Sequence, residues 1–198
     1  MLEFRDYLGP DIAAVVEDLA RLRVTVFRDW PYLYDGDEAY ERDYLQTYRD
    51  SPDAILVAAF DGDRLVGAST GTPMEDHADD FAAAFDGQGI ALKDIFYCAE
   101  SVLLPEYRGQ GIGHAFFDAR EGHARAMGRR YVAFCGVVRP DDHPLRPAAY
   151  HPLDPFWRKR GYRPVAGAVA QFRWKDIDQQ NETAHALQFW MRRLSTDT

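Results

Sequence analysis

In the stretch LLPEYRGQGIGHAFFDAR, Leu103 to Arg120, an apolar run stops at Pro105 and glycines then stand at Gly109, Gly111 and Gly113. A helical pattern begins at once. Each glycine lowers local stability, because its backbone has more freedom to lose on folding. Three of them between a strand and a helix point to backbone that is approached closely. A helix N-terminus offers unpaired N–H groups and a partial positive charge, which together suit a phosphate. Glycines remove the Cβ atoms that would hold an anion away from those groups. RGQGIG is therefore a candidate pyrophosphate cradle. The bland alternative is a tight strand-to-helix turn with incidental glycines.

With 198 residues the chain can bury one core and is short for two, so residues 1–198 are expected to form a single α+β domain. EFRDY is a short strand, and Asp11 is placed to cap a helix with apolar residues at Ile12, Val15, Val16, Leu19, Leu22 and Val26. EAYERDYLQTY reads as a second helix. AILVAAF and LVGASTG flank DGDR as a hairpin. Residues 74–94 form an acidic, Ala-rich helical excursion. IFYCAESVLL is a strand, GIGHAFFDAREGHARAM a helix closed by Gly128, and YVAFCGVV a further strand. RPDDHPLRPAAYHPLDP holds five of the eleven prolines and must be a loop. Asp154-Pro155 then starts the short helix FWRKR, with Asp154 as its cap, and strands fall near Tyr162–Val165 and Val169–Trp174. Residues 182–195 read as an amphipathic helical tail that packs on the core or on a second copy, which leaves a homodimer open.

A net charge of −9 disfavours nucleic acid, which needs clustered Lys and Arg. Cys98 and Cys135 lie inside apolar runs, as inert core thiols do. MLEFRDYLGP lacks the basic and apolar regions of a leader, and no apolar run approaches the ~18 residues of a membrane span. No membrane partner and a cytoplasmic location are the expectation. His143 and His151 stand seven residues apart among prolines without a companion set of ligands, so no metal is expected.

Two familiar phosphate loops fail on the glycine stretch. A Walker loop needs Gly-Lys-Ser/Thr, and His114-Ala115 follows Gly113; a dinucleotide fingerprint needs a third glycine where His114 or Phe116 stands. Arg/Gln-x-x-Gly-x-Gly/Ala fits, occupied by Arg108, Gly111 and Gly113. Here the chain resembles the GNAT superfamily of acyl-CoA-dependent N-acetyltransferases. LLPEYRGQGIG is similar to the family's V-x-P-x-x-R-G-x-G-I-G, with Leu103 for the usual Val, and FWRKRGY resembles its aromatic-x-x-x-Gly-Phe/Tyr element.

The resemblance implies a mixed, mostly antiparallel sheet with splayed central strands flanked by helices. It implies acetyl-CoA as co-substrate, its pyrophosphate on Arg108, Gly109, Gln110, Gly111, Ile112 and Gly113. Its pantetheine arm would pair with the fourth strand at Val102, Leu103 and Leu104, beside a bulge near Leu103. The acceptor, a primary amine on a small molecule, would attack directly with no acyl-enzyme. Glu100 is then the expected base, with a structural carboxylate that caps a neighbouring loop or pairs with an Arg as the alternative. Where many members carry a Tyr acid this chain has Trp157, so Tyr150 or a water is expected to protonate the thiolate. Trp30, Tyr32 and Tyr34 are the expected acceptor contacts, with Asp35 or Asp37 attracting the amine. Two other readings stay open: a catalytically weak acyl-CoA-binding module, and an acetyltransferase acting on proteins or peptides.

Overall fold

The computed structural model describes residues 2–195. Among them the strands are Leu2–Leu8 (β1), Ile55–Asp61 (β2), Arg64–Pro73 (β3), Ile95–Leu103 (β4), Tyr131–Val137 (β5), Arg163–Trp174 (β6) and Thr183–Arg193 (β7). They form one sheet in the order β1-β2-β3-β4-β5-β7-β6, with only β4 and β5 parallel among these pairs. The helices are Val16–Phe27 (α1), Glu38–Tyr44 (α2), Gln46–Asp50 (α3), Ala78–Phe85 (α4), Ile112–Ala126 (α5) and Asp154–Lys159 (α6). This is the mixed, mostly antiparallel α+β architecture expected from the sequence.

Helices α1 and α5 cover opposite faces of the sheet. Successive strand residues point to alternate sides. Phe96 meets His123 of α5, with ring centroids 5.5 Å apart, while its neighbour Tyr97 faces a cavity beside α1. Covered on both sides, β2 and β3 are buried almost throughout, which suits their unbroken apolar runs.

Two irregularities shape the centre of the sheet. β4 and β5 pair only over Ile95–Tyr97 and Tyr131–Ala133, and then part. The second is a bulge. Ser69 stands opposite Ser101 but Gly71 opposite Cys98, so Ala99 and Glu100 together face Thr70. The bulge therefore lies at Ala99–Glu100, not near Leu103, where the ladder to Gly67 is regular. Strict alternation would put Glu100 on the α5 side with Phe96 and Cys98. The extra residue turns both Ala99 and Glu100 towards the cavity instead.

Several local expectations are corrected. Residues 182–195 are not a helical tail: Thr183–Arg193 is the strand β7, inserted between β5 and β6. His185, Leu187 and Phe189 are buried in alternation, a period of two that the apolar spacing also permits. Asp11 caps nothing, because Gly9–Val15 is a 3-10 segment with Pro10 in its first turn. EAYERDYLQTY breaks at Leu45 into α2 and α3. Asp154 sits inside α6, whose cap position is Leu153. The last two strand candidates merge into β6, with its irregularity spanning Pro164–Val169, where Gly167 has a φ of +78°.

Phe189 is fully buried between Phe81, Phe85 and Tyr97. Phe189→Ala should lower the unfolding free energy by about 3–5 kcal/mol in a urea titration. A surface helix would lose far less, so a change below about 1 kcal/mol would contradict the placement of β7.

Candidate active site

After β4 the chain makes a 3-10 turn at Pro105–Tyr107 and enters α5 through the glycines. Gly109 and Gly111 have φ of +77° and +83°, a left-handed backbone that favours glycine. A Cβ added at either would meet no atom within 4 Å, so open space lies over this backbone. No side chain caps α5 and no acid stands in its first turn, which leaves its positive end available to an anion. Arg108 reaches back to the Leu103 carbonyl (3.3 Å) and Gln110 to that of Glu106 (3.3 Å). These bonds tie the loop to the end of β4. An uncapped helix start, a Cβ-free cradle and the free edge of β4 beyond Tyr97 suit an acyl-CoA.

Leu104 N–H donates to the Val66 carbonyl, so the neighbouring N–H of Leu103 points the other way, towards the parting of β4 and β5. The bulge that opens this gap is held by Arg120. Its guanidinium, 1% exposed, donates to the carbonyls of Thr70 (3.1 Å), Glu100 (3.0 Å) and Phe116 (3.2 Å) and to Ser101 Oγ (2.9 Å). A bulge disrupts ladder bonding, and this side chain bonds both carbonyls at the irregularity.

The cavity lies on the α1 side. α1 contributes Arg23 and Phe27, the following loop Tyr32 and Tyr34, and α2 Glu41 and Tyr44; Ala99 and Glu100 form the β4 wall, and Phe172 and Trp174 of β6 close it. Arg23 joins the two acids. Its Nη1 forms an ion pair with Glu100 Oε2 (2.7 Å) and its Nε donates to Glu41 Oε2, and it lies over the rings of Phe27 and Tyr44 at 4.9 and 4.6 Å. Burial opposes its charge, and the Glu100 and Glu41 carboxylates overcome that and hold its pKa well above the ordinary value. Glu100 is thus both paired with an Arg and a cavity residue. Its Oε1 is buried without a hydrogen-bond partner.

The expected acceptor residues separate. Tyr32 and Tyr34 line the cavity, but Trp30 and Tyr150 are absent from its wall. Those two pack on each other at 5.9 Å, with His143 against Trp30 at 5.1 Å. Asp37 caps α2 by accepting from Ala39 and Tyr40 N–H, and Asp35 is bonded to Arg28 and Lys175, so neither acid waits for an amine. The long proline loop does not line the cavity; the β6–β7 hairpin does. Arg139, just past β5, pins the two parts together. It binds Asp176 with two bonds (2.6 and 2.9 Å) and reaches the Pro31 and Tyr32 carbonyls. Trp157 packs on Phe134 and Trp190, with centroids 4.9 and 5.2 Å away.

Arg23, Glu41 and Arg120 were missed by sequence reasoning, although a signal existed. Arg23 follows Leu22 on the stripe Leu19–Leu22–Val26, and Arg120 stands three and four residues after Phe117 and Phe116. A charge on a buried stripe needs a partner there.

A sheet that parts between parallel strands, with a bulge on one and a glycine-lined helix start at its end, is the arrangement of an acyl-CoA-type transferase fold. The sequence profile of the Acetyltransferase (GNAT) family matches residues 19–162, nearly three quarters of the chain, and the protein belongs to that family. No curated protein matches it. Solved structures similar to it include an N-acetyltransferase from Staphylococcus aureus Mu50, 11% identical with a TM-score of 0.60 over 98% of this chain and 99% of that one. A phosphinothricin acetyltransferase from Sinorhizobium meliloti in complex with AcCoA is 16% identical, with a TM-score of 0.56 over 98% and 89%. Arabidopsis thaliana NAA60 in complex with a bisubstrate analogue is 14% identical, with a TM-score of 0.61 over 98% and 100%. At these identities the likeness is one of fold.

Both cysteines are buried, which pushes the Cys98 thiol up to about 11 and that of Cys135 up to about 12. The thiolate is the reactive form, and at pH 8 it would be about one part in a thousand for the first and less for the second. Iodoacetamide should leave both unmodified in native protein at pH 8 by intact mass, and modify both in urea. Rapid alkylation of the native protein at that pH would contradict this burial.

Proposed function

We propose that the protein transfers an acetyl group from acetyl-CoA directly to the primary amine of a small molecule. The observation that carries this is the buried, partnerless Oε1 of Glu100 in a cavity beside the parting of β4 and β5. The N–H groups of residues 109–113 would hold the pyrophosphate, with Arg108 and Gln110 fixing the loop. Val102, Leu103 and Leu104 would pair with the pantetheine arm along the free edge of β4, and the Leu103 N–H would polarise the acyl carbonyl. When bound, acetyl-CoA supplies the activated acyl carbon that the amine attacks.

Glu100 Oε1 takes a proton from the acceptor ammonium, which frees the nitrogen lone pair. Arg23 holds the other oxygen, fixing the carboxylate at one angle. Overall, ammonium and thioester become amide and thiol, with one proton released to water.

A proton must also reach the departing sulfur. Tyr150 is the donor expected from the sequence, but it packs against Trp30 outside the cavity wall. What supports Tyr97 instead is its place where β4 and β5 part, with its hydroxyl 3.5 Å from Cys135 Sγ. Burial pushes this phenol up, which keeps it protonated and able to donate.

Gly111→Val should weaken acetyl-CoA binding at least about tenfold, or about 1.4 kcal/mol, in calorimetry, because a branched side chain would enter the cradle. Unchanged affinity would remove the cradle. Glu100→Gln and Tyr97→Phe should each lower kcat by about 10²–10⁴-fold with acetyl-CoA affinity retained, while Tyr150→Phe should be near the parent. A large loss in Tyr150→Phe and none in Tyr97→Phe would return the proton-donor role to Tyr150.

A further inference from the structure

The cavity also carries information about which amine it admits. Its buried charges are Arg23, Glu41 and Glu100, at 7%, 1% and 7% exposure, and together they sum to one negative charge. Arg23 faces both acids and lies over two rings, so its charge is already met by two carboxylates. Two further cations stand near the cavity. Arg139 is held by Asp176 and two carbonyls, while Arg173, on the wall, donates to the neutral Glu182 carbonyl (3.0 Å) and is exposed, so water screens its charge. The lone unsatisfied polar atom among these charges, Glu100 Oε1, is an acceptor that calls for a cationic donor.

Most of the remaining wall is aromatic. Phe27 and Tyr32 lie 4.4 Å apart, Tyr32 and Trp174 5.9 Å apart, and Tyr34, Tyr44 and Phe172 line it too. Burial pushes the Tyr32, Tyr34 and Tyr44 phenols above their ordinary value, so they stay neutral at working pH. Flat apolar groups stack favourably on such a surface.

Resting on the amine-acetylation reading above, we propose that the acceptor is an arylalkylamine: a primary amine on a flat apolar body with no acidic group beside the nitrogen. Its ammonium sits on Glu100 Oε1 and its ring among Tyr32, Tyr34 and Trp174. An α-amino acid would bring its carboxylate next to Glu100 and Glu41 with no buried cation to meet it, the exposed Arg173 being screened by water, and a buried unpaired charge is strongly disfavoured. A polyamine would bring more positive charge than the single net negative charge can match. The Tyr32–Asp35 segment, which carries two of the wall tyrosines, limits how far the cavity can widen for a polypeptide. That segment is fastened to the β6–β7 turn by Asp35 N–H to Lys175 O (2.8 Å) and Ile177 N–H to Leu33 O (2.7 Å).

The test is free-thiol release from acetyl-CoA with matched acceptors: 2-phenylethylamine against phenylalanine, tryptamine against tryptophan, then spermidine and a short peptide. The two arylalkylamines should exceed their carboxylated twins by about a hundredfold or more in kcat/KM, and exceed spermidine and the peptide. In Glu41→Gln, which removes one of the two negative charges facing Arg23 and leaves the cavity's buried charges summing to zero, the preference over the amino acids should shrink at least about tenfold. If an amino acid, spermidine or the peptide is the best acceptor, this substrate class is wrong while acetyl transfer to amines stands. If the preference is unchanged in Glu41→Gln, the electrostatic account of it is wrong. If acetyl-CoA binds but no amine releases thiol, the transfer reading falls, and the substrate class with it.

Discussion

The guanidinium of Arg120 inside the sheet is the interaction on which the site depends. A bulge in a central strand leaves carbonyls that the ladder cannot satisfy, and in a buried position each would cost about 1–3 kcal/mol. Arg120 donates to Thr70 O and Glu100 O, on either side of the irregularity, and to Ser101 Oγ beyond it. It does so without a carboxylate partner among its hydrogen bonds, so its charge strengthens bonds to neutral carbonyls. The consequence is one of direction. The bulge turns Glu100 from the α5 face to the cavity face, and the clamp fixes the backbone that carries it.

On the other face a second buried arginine does complementary work. Arg23 lies between Glu41 and Glu100 and brings α1, α2 and β4 to one point. Buried ion pairs are weak sources of stability, because desolvation offsets most of the attraction. Their value here is geometric. One Glu100 oxygen faces Arg23 and the other is buried without a partner, which gives a carboxylate of fixed orientation with one unpaired acceptor. The aromatic rings around it exclude water from that oxygen, which strengthens whatever donor arrives.

The wall of the cavity is assembled from distant parts of the chain. The α1–α2 loop supplies Tyr32 and Tyr34, while the hairpin some 140 residues later supplies Trp174, whose indole N–H donates to the Tyr32 carbonyl. Asp176 collects Arg139, Trp174 and His185 at the same corner. The loop therefore keeps its form through tertiary bonds to β6 and the turn after it.

The glycine stretch determined a good deal by itself. Gly109, Gly111 and the uncapped start of α5 are local features, because left-handed backbone and unpaired helix N–H groups depend on a few adjacent residues. The alternating and helical periods likewise placed most strands and helices, since each reflects one local geometry. Periodicity failed at Thr183–Arg193, whose apolar positions fit a helix or a strand; the slot between β5 and β6 decided for the strand. It was also silent on the bulge, because a one-residue offset appears only when β3 and β4 pair. Tertiary structure alone brought Arg23 to Glu41 and Glu100, took Tyr150 and Trp30 away from the cavity, and set Tyr97 beside Cys135. Charges and rings meet across the sheet at distances that no spacing along the chain encodes, so the glycine turn was legible in sequence and the cavity was not.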